Sequence, residues 1–340
     1  MNMLLISRLA RIVVCGVAPL IATSTAVADD FYKGKTIEIV IASGPGGFDF
    51  IGRLVARHLG KHIPGNPAVV PQNMPGAGGL TATNYLFRKA KQDGTALGQL
   101  PANIIIEDAL QAPGVGYKAA KFNEIGRIAS GINLTVSRKD SKARTLQDAT
   151  KVQVVHATTA PASLVQVFPT VANHLVGTKF KFVSGYTDTA TTILAMERGE
   201  ADAATVGLNS LYSLRPDWLK NGEVNFLVQY TPGRSPRLPN VPAITEFVKA
   251  PKDREVLDLF LTAVTLGQHI TAPPNVPADR IAILRKAFDE MLKDPDFLKE
   301  IEVSKTWFDP MSGIELQKLT QASYSADAIA RAKAIRLSQD

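Results

Sequence analysis

Twice in the first hundred residues an apolar run ends in a glycine-rich loop and is followed by a helix-forming stretch. That order of parts confines the chain to α/β architectures. Residues 36–42 (TIEIVIA) carry a buried-strand signature and run into Ser43, Gly44, Pro45, Gly46, Gly47, Phe48 and Asp49. A helix follows, with Ile51, Leu54, Val55 and Leu59 on one face. A short strand at Val69 and Val70 precedes Gly76, Ala77, Gly78 and Gly79, which open a second helix to about Ala90. Asp93-Gly94 marks a turn before a third strand over 95–100.

The alternation resumes at 152–156, after a first domain crossing placed within 127–137. Thr187 or Asp188 can N-cap a helix over 189–198 that Gly199 ends, and 203–206 returns as a strand. Four prolines in 231–242 exclude a helix or strand interior, so this segment is expected to run extended. A long helical region is expected over 279–298, and one amphipathic helix over 314–335. No repeat or low-complexity segment interrupts the pattern.

At the N-terminus, Arg8 and Arg11 precede an apolar stretch containing Pro19, and Ala26-Val27-Ala28 supplies a small-residue cleavage site. This reads as a signal peptide over 1–28, removed after Ala28, and implies export to the periplasm. The run is too short for a membrane anchor. The only cysteine, Cys15, lies inside the leader behind Val14, so the exported chain has no disulfide or thiolate ligand. Removing the leader takes two basic residues from a net charge of +7, and so mild an excess does not describe a nucleic-acid binder. An aromatic content of 7% also argues against a base-stacking surface.

Familiar catalytic arrangements are missing from the sequence. No serine sits in a G-x-S-x-G elbow, and neither glycine cluster has the Gly-Lys-Ser/Thr ending of a phosphate loop. His58 and His62 have i, i+4 spacing, but Leu59 stands where a zinc protease needs Glu. No metal, cofactor or catalytic residue is assigned. The glycine clusters have a physical use nonetheless. Each joins a strand to a helix start, where unpaired N–H groups attract anions and glycine permits close approach. They are read either as an anion site on one sheet edge or as two tight turns. Asp49 would repel an anion, so capping the helix or fixing the loop suits it better than ligand contact.

Several stretches together carry a family resemblance: 31–37 (FYKGKTI), 45–49 (PGGFD), 72–79 (QNMPGAGG), 234–242 (RSPRLPNVP), 272–277 (APPNVP) and Asp294-Pro295. The chain resembles the Bug family of periplasmic solute-binding receptors, which serve tripartite tricarboxylate transporters. That resemblance implies a two-lobed type II periplasmic binding protein fold with the ligand cleft between the lobes. It places lobe 1 at 29–131 and 260–340 and lobe 2 at 132–259. First-lobe contacts would fall on Ser43, Gly44, Gly46, Gly47, Phe48 and Asp49, and on Gly76, Ala77 and Gly78. Second-lobe contacts would fall on Thr158, Thr159, Ser163, Tyr186, Thr187, Gly207 and Asn209. Phe48 replaces a small polar residue common in the family, and Pro45 removes one N–H donor. The implied function is capture of a small carboxylate (a di- or tricarboxylate, an acidic amino acid or an aromatic acid) by a monomer that delivers it to a membrane permease. A sensor feeding a kinase, or an exported hydrolase, are the alternatives.

Overall fold

The computed structural model describes residues 31–44, 47–159, 163–304, 306–321 and 325–337. The expected leader with its cleavage site, and Gly46 of the first glycine loop, lie outside the described residues. The chain begins β1 (Thr36–Ile41), α1 (Gly47–Leu59), β2 (Ala68–Asn73), α2 (Leu80–Arg88), β3 (Ala96–Gln99), α3 (Ile104–Ala109) and β4 (Asn123–Ala129). Its middle runs β5 (Asn133–Arg138), α4 (Leu146–Lys151), β6 (Val154–Ala157), α5 (Leu164–Val176), β7 (Phe180–Val183) and α6 (Thr189–Glu197). There follow β8 (Ala203–Gly207), α7 (Leu208–Leu214), α8 (Trp218–Asn221) and β9 (Val224–Tyr230). The last part comprises α9 (Pro251–Leu266), β10 (Gln268–Ala272), α10 (Ala278–Met291), α11 (Pro295–Val303), β11 (Met311–Ser312), α12 (Gly313–Thr320) and α13 (Ala326–Leu337).

These strands form two sheets, ordered β11-β4-β10-β3-β1-β2 and β7-β6-β8-β5-β9. In the first, β1 lies parallel between β2 and β3, and β10 is antiparallel to both β3 and β4. In the second, β6 is parallel to β7 and β8, whereas β5 is antiparallel to β8 and β9. A central parallel strand is covered on both faces, which is why β1 is apolar from Ile39 to Ile41 and carries its one charged residue, Glu38, nearer its start. Its Ile37, Ile39, Val40 and Ile41 are fully buried.

The chain passes between the sheets twice, at residues 130–132 joining β4 to β5 and at Gly267 joining α9 to β10. The two passages touch: the Gly131 N–H donates to the Val264 carbonyl at 2.8 Å. Gly267 holds φ 51° and ψ −129°, and a Cβ there would run into the Ala129 carbonyl oxygen and stand 2.7 Å from the Gly131 nitrogen. The expected boundary near Phe260 falls inside α9, which packs against α3 of the first part, α5 of the middle part and α13 near the C-terminus. One apolar cluster therefore joins Leu86 and Ile104 to Phe168 and Tyr230 through Phe260 and Ala332. Phe168 and Tyr230 stack with ring centroids 4.8 Å apart.

Three sequence expectations need correction. The helical region over 279–298 is two helices, because Asp294 caps α11 through the Asp296 and Phe297 N–H groups and Pro295 opens it. The stretch 314–335 is also two, α12 ending at Thr320 and α13 starting at Ala326. The proline-rich segment does not run extended. Leu238 N–H bonds the Ser235 carbonyl and Val241 N–H that of Leu238, so Pro236 and Pro239 each occupy the second position of a turn, where their fixed φ fits. Buried Gln229 holds both turns, donating to the Leu238 and Val241 carbonyls at 3.0 and 2.6 Å.

Candidate functional site

A cavity of about 280 Å³ opens between the two sheets, at the chain passages. Phe48 reaches it from the start of α1, Gly207 and Asn209 from the start of α7, and Ser130, Gln268 and Trp307 from the passages and the segment after α11. The position of α1 is set by Gln99, a fully buried residue at the end of β3. Its Nε2 donates to the Phe48 carbonyl at 2.9 Å and to Gln268 Oε1 at 3.1 Å. The helix comes this close because Gly52 has no Cβ, which would lie 2.6 Å from the Ile41 Cδ1.

Asp49 occupies the first turn of α1 and is buried, and both of its oxygens are engaged. Arg53 Nε donates to Oδ2 at 2.8 Å and Asn73 Nδ2 to Oδ1 at 2.6 Å. The hydrogen bond from Arg53 holds this carboxyl below the usual range, and that from Asn73 adds to it against the effect of burial. Asn73 also donates to the Ser43 carbonyl at 2.8 Å, so Asp49 fastens the β1 loop to the end of β2. Ser43 Oγ turns back to the Gly44 carbonyl at 3.0 Å, and Gly47 is the first residue of α1. Gly76, Ala77 and Gly78 form an exposed turn leading into α2 and do not line the cavity. All three have positive φ, which for Ala77 is uncommon.

On the second sheet, Thr158 is fully buried just after β6, and its hydroxyl has no hydrogen-bond partner among the described residues. Thr159 Oγ1 and Ser163 Oγ share a 2.8 Å hydrogen bond at the start of α5. Tyr186 and Thr187 are occupied elsewhere: the phenol donates to Glu200 at 3.4 Å and the threonine hydroxyl to Asp188 at 3.2 Å. Asp188 in turn caps α6 by accepting the Thr191 N–H at 2.8 Å.

Of the expected contacts, Phe48, Gly207 and Asn209 therefore meet on one cavity, and the other described ones are arranged around or away from it. Trp307, Ser130 and Gln268 were not anticipated. The Trp307 N–H donates to Asn209 Oδ1 at 3.4 Å and its indole Nε1 to Ser130 Oγ at 3.2 Å. Ser130 Oγ donates to Asp309 at 2.6 Å, and buried Arg127 pairs with the same carboxylate at 2.9 Å. An aromatic and a glycine-serine crossing give little local signal, since only the sheet order brings them together. His58 and His62 face Glu300 and Asp294 at 2.8 and 2.9 Å, and no group of three metal-ligating side chains occurs among the described residues.

A family model described as a tripartite tricarboxylate transporter family receptor matches residues 51–338. No curated protein matches the chain. Among solved structures, a TctC solute-binding protein from Polaromonas without ligand is 17% identical, with a TM-score of 0.69 over 89% of this chain and 98% of that one. MatC from Rhodopseudomonas palustris with bound malate is 20% identical, with a TM-score of 0.61 over 89% and 99%. An R. palustris protein with adipate is 19% identical, with a TM-score of 0.63 over 90% and 97%. These solved structures share the two-lobed fold of periplasmic binding proteins.

Proposed function

This chain belongs to the tripartite tricarboxylate transporter receptor family, and from that premise we propose that it captures a small carboxylate in the cavity between its lobes and delivers it to membrane permease subunits. Family and fold are those of substrate-binding receptors rather than enzymes. One observation carries the reading: a cavity is lined by residues of both sheets, at the two places where the chain passes between them. Malate and adipate in two proteins of the same fold support a carboxylate.

Lobe 1 is assigned residues 29–131 and 260–340 and lobe 2 residues 132–259, with α9 running through the boundary. N–H groups at the start of α1 hold one carboxylate oxygen, in line with the positive end of a helix of 13 residues. Thr158, Thr159 and Ser163 supply hydroxyls from the other side. Closure excludes water and strengthens each of these contacts. The receptor acts as a monomer.

Replacing the carboxylate by its amide is expected to cost roughly 1.5–3 kcal/mol, or about tenfold to a hundredfold in affinity. A thermal-shift panel of acids, each beside its amide, reads this directly. Amides that stabilise as well as their parent acids would end the anion-site reading.

Export is the remaining part of the proposal. No helix among the described residues is long and apolar enough to cross a membrane. Intact-mass measurement of protein recovered from the periplasm is expected to give a chain starting at Asp29. A retained leader, or a lipid on Cys15, would contradict it.

A further inference from the structure

We propose that the proline-rich segment 231–242 works as one half of a clasp between the lobes: it carries Arg237 onto the face of Trp307, and Arg237 is thereby a positioning residue for ligand capture. The inference rests on the reading of the cavity between the sheets as the ligand site, and adds to it what holds the two walls of that cavity together. The segment is built as a rigid platform. Gln229, which holds both proline turns, also accepts the Ser235 N–H at 2.9 Å. Arg234 closes the platform with a paired contact to Glu246 at 2.7 and 2.8 Å. Leu238 and Val241 anchor it in the apolar cluster of the second sheet. Arg237 stands exposed on this platform, with its guanidinium carbon 4.7 Å from the Trp307 ring centroid.

Trp307 belongs to the other side of the clasp. Asp309, two residues on, fixes its segment to β4: the Asp309 N–H donates to the Ile128 carbonyl at 3.0 Å, and Arg127 donates to the Asp309 carbonyl and carboxylate at 3.0 and 2.9 Å. The indole reaches across from there. It packs against the apolar clusters of both sheets, and the Trp307 backbone N–H donates to Asn209 Oδ1 at the start of α7. Trp307 lines the cavity proposed for the ligand and also a second one of about 390 Å³, whose walls include residues 231–236. Among aromatic rings an indole is the best partner for a cation, and at an exposed position the contact is worth a factor of roughly two to five. Arg237 does not line the ligand cavity. It acts through Trp307, biasing the lobes towards the arrangement in which both wall one cavity.

The test uses the full exported protein with spin labels at two exposed positions, Lys91→Cys in lobe 1 and Lys220→Cys in lobe 2, and reads lobe separation without ligand by pulsed electron–electron double resonance. Arg237→Gln is expected to shift population towards a second separation by a factor of roughly two to five. Arg237→Lys, which keeps the cation, should restore most of the original distribution. Calorimetric titration with malate and adipate should show binding weakened by the same factor in Arg237→Gln, with the melting temperature little changed because the side chain is exposed. Combined with Trp307→Leu, which removes the ring, the Arg237→Gln loss should not add. The Arg237 variants decide the matter even if Trp307→Leu does not fold. Identical distance distributions with Arg237 and with Gln overturn the clasp, and so do additive losses. A lowered melting temperature with unaltered lobe separation and affinity marks a merely structural contact and overturns it too. Failure of malate and adipate to bind, with the Arg237→Gln shift present, counts against the carboxylate reading and leaves the clasp standing.

Discussion

Gly267→Val is expected to destabilise the protein by about 3 kcal/mol or more and to lower its melting temperature by roughly 5 °C or more. Two effects combine at this position. The left-handed φ of 51° is unfavourable for a β-branched residue, and the new Cβ would collide with backbone, not with a side chain that could turn aside. The backbone in its way is Ala129 and Gly131, the other passage between the sheets. Gly177→Val separates the two effects. Gly177 also has positive φ, at 80°, but a Cβ there would meet nothing within 4 Å. The control should lose only the conformational part, about 1–2 kcal/mol. Equal losses in the two variants, measured by thermal melting, would mean that the close approach of the passages contributes no stability.

The second large effect concerns pH. Glu124 on β4 and His269 on β10 are both buried, 3.8 Å apart at their nearest nitrogen and oxygen. Burial pushes the Glu124 carboxyl up to about 8, partly offset by the positive charge of Arg285. Burial lowers His269 to about 4. Each group is thus driven to its neutral form, and the pair is not an ion pair at neutral pH. The consequences for stability have opposite signs. Glu124 is protonated in the folded chain and ionised in the unfolded one between about 4.5 and 8, so its contribution is lost as pH rises through that window, at about 1.4 kcal/mol per pH unit. His269 behaves in reverse, losing stability as pH falls from 6.5 towards 4, and His156, lowered by burial to about 3, does the same. Above pH 6.5 Glu124 acts without opposition from these histidines. Melting temperature should fall between pH 6.5 and 8, and Glu124→Gln, which keeps the shape of the protonated acid, should flatten that fall. Parallel curves for the two proteins would show that Glu124 is already ionised in the folded state.

Five of the strands, β1, β2, β3, β6 and β8, were legible in the sequence, whereas β4, β9 and β10 were not assigned although they are as buried. The run TIEIVI had to be a strand covered on both faces, and Asp188 with Gly199 bracketed α6 through capping geometry that involves only near neighbours. Breaks without a strong local mark were harder. The Asp294-Pro295 pair is a cap followed by a first-turn proline, yet the apolar spacing continues across it and suggests one helix. The prolines of 231–242 signalled irregular backbone correctly, but whether they extend or turn depends on Gln229, which reaches them from β9. At the site, Phe48 lies at the β1–α1 junction of the first sheet and Gly207 and Asn209 at the β8–α7 junction of the second, positions that the family resemblance pointed to. Trp307 reaches the same cavity from a loop after α11 because β11 pairs with β4 beside the first passage. That pairing spans two residues and leaves no trace in the pattern of apolar positions.

The chain contains two tryptophans, and their environments differ in a way that gives the protein a built-in optical signal. Trp218 is sealed in the apolar interior beside the second sheet, whereas Trp307 borders the cavity. Emission from the first reports the integrity of that interior and emission from the second reports what occupies the cavity. With Trp218 replaced by Phe, the remaining fluorescence belongs to one indole at the mouth of the site. The protein can then be titrated without dye, label or transport assay, and used as a reagentless sensor for whichever acid it takes up.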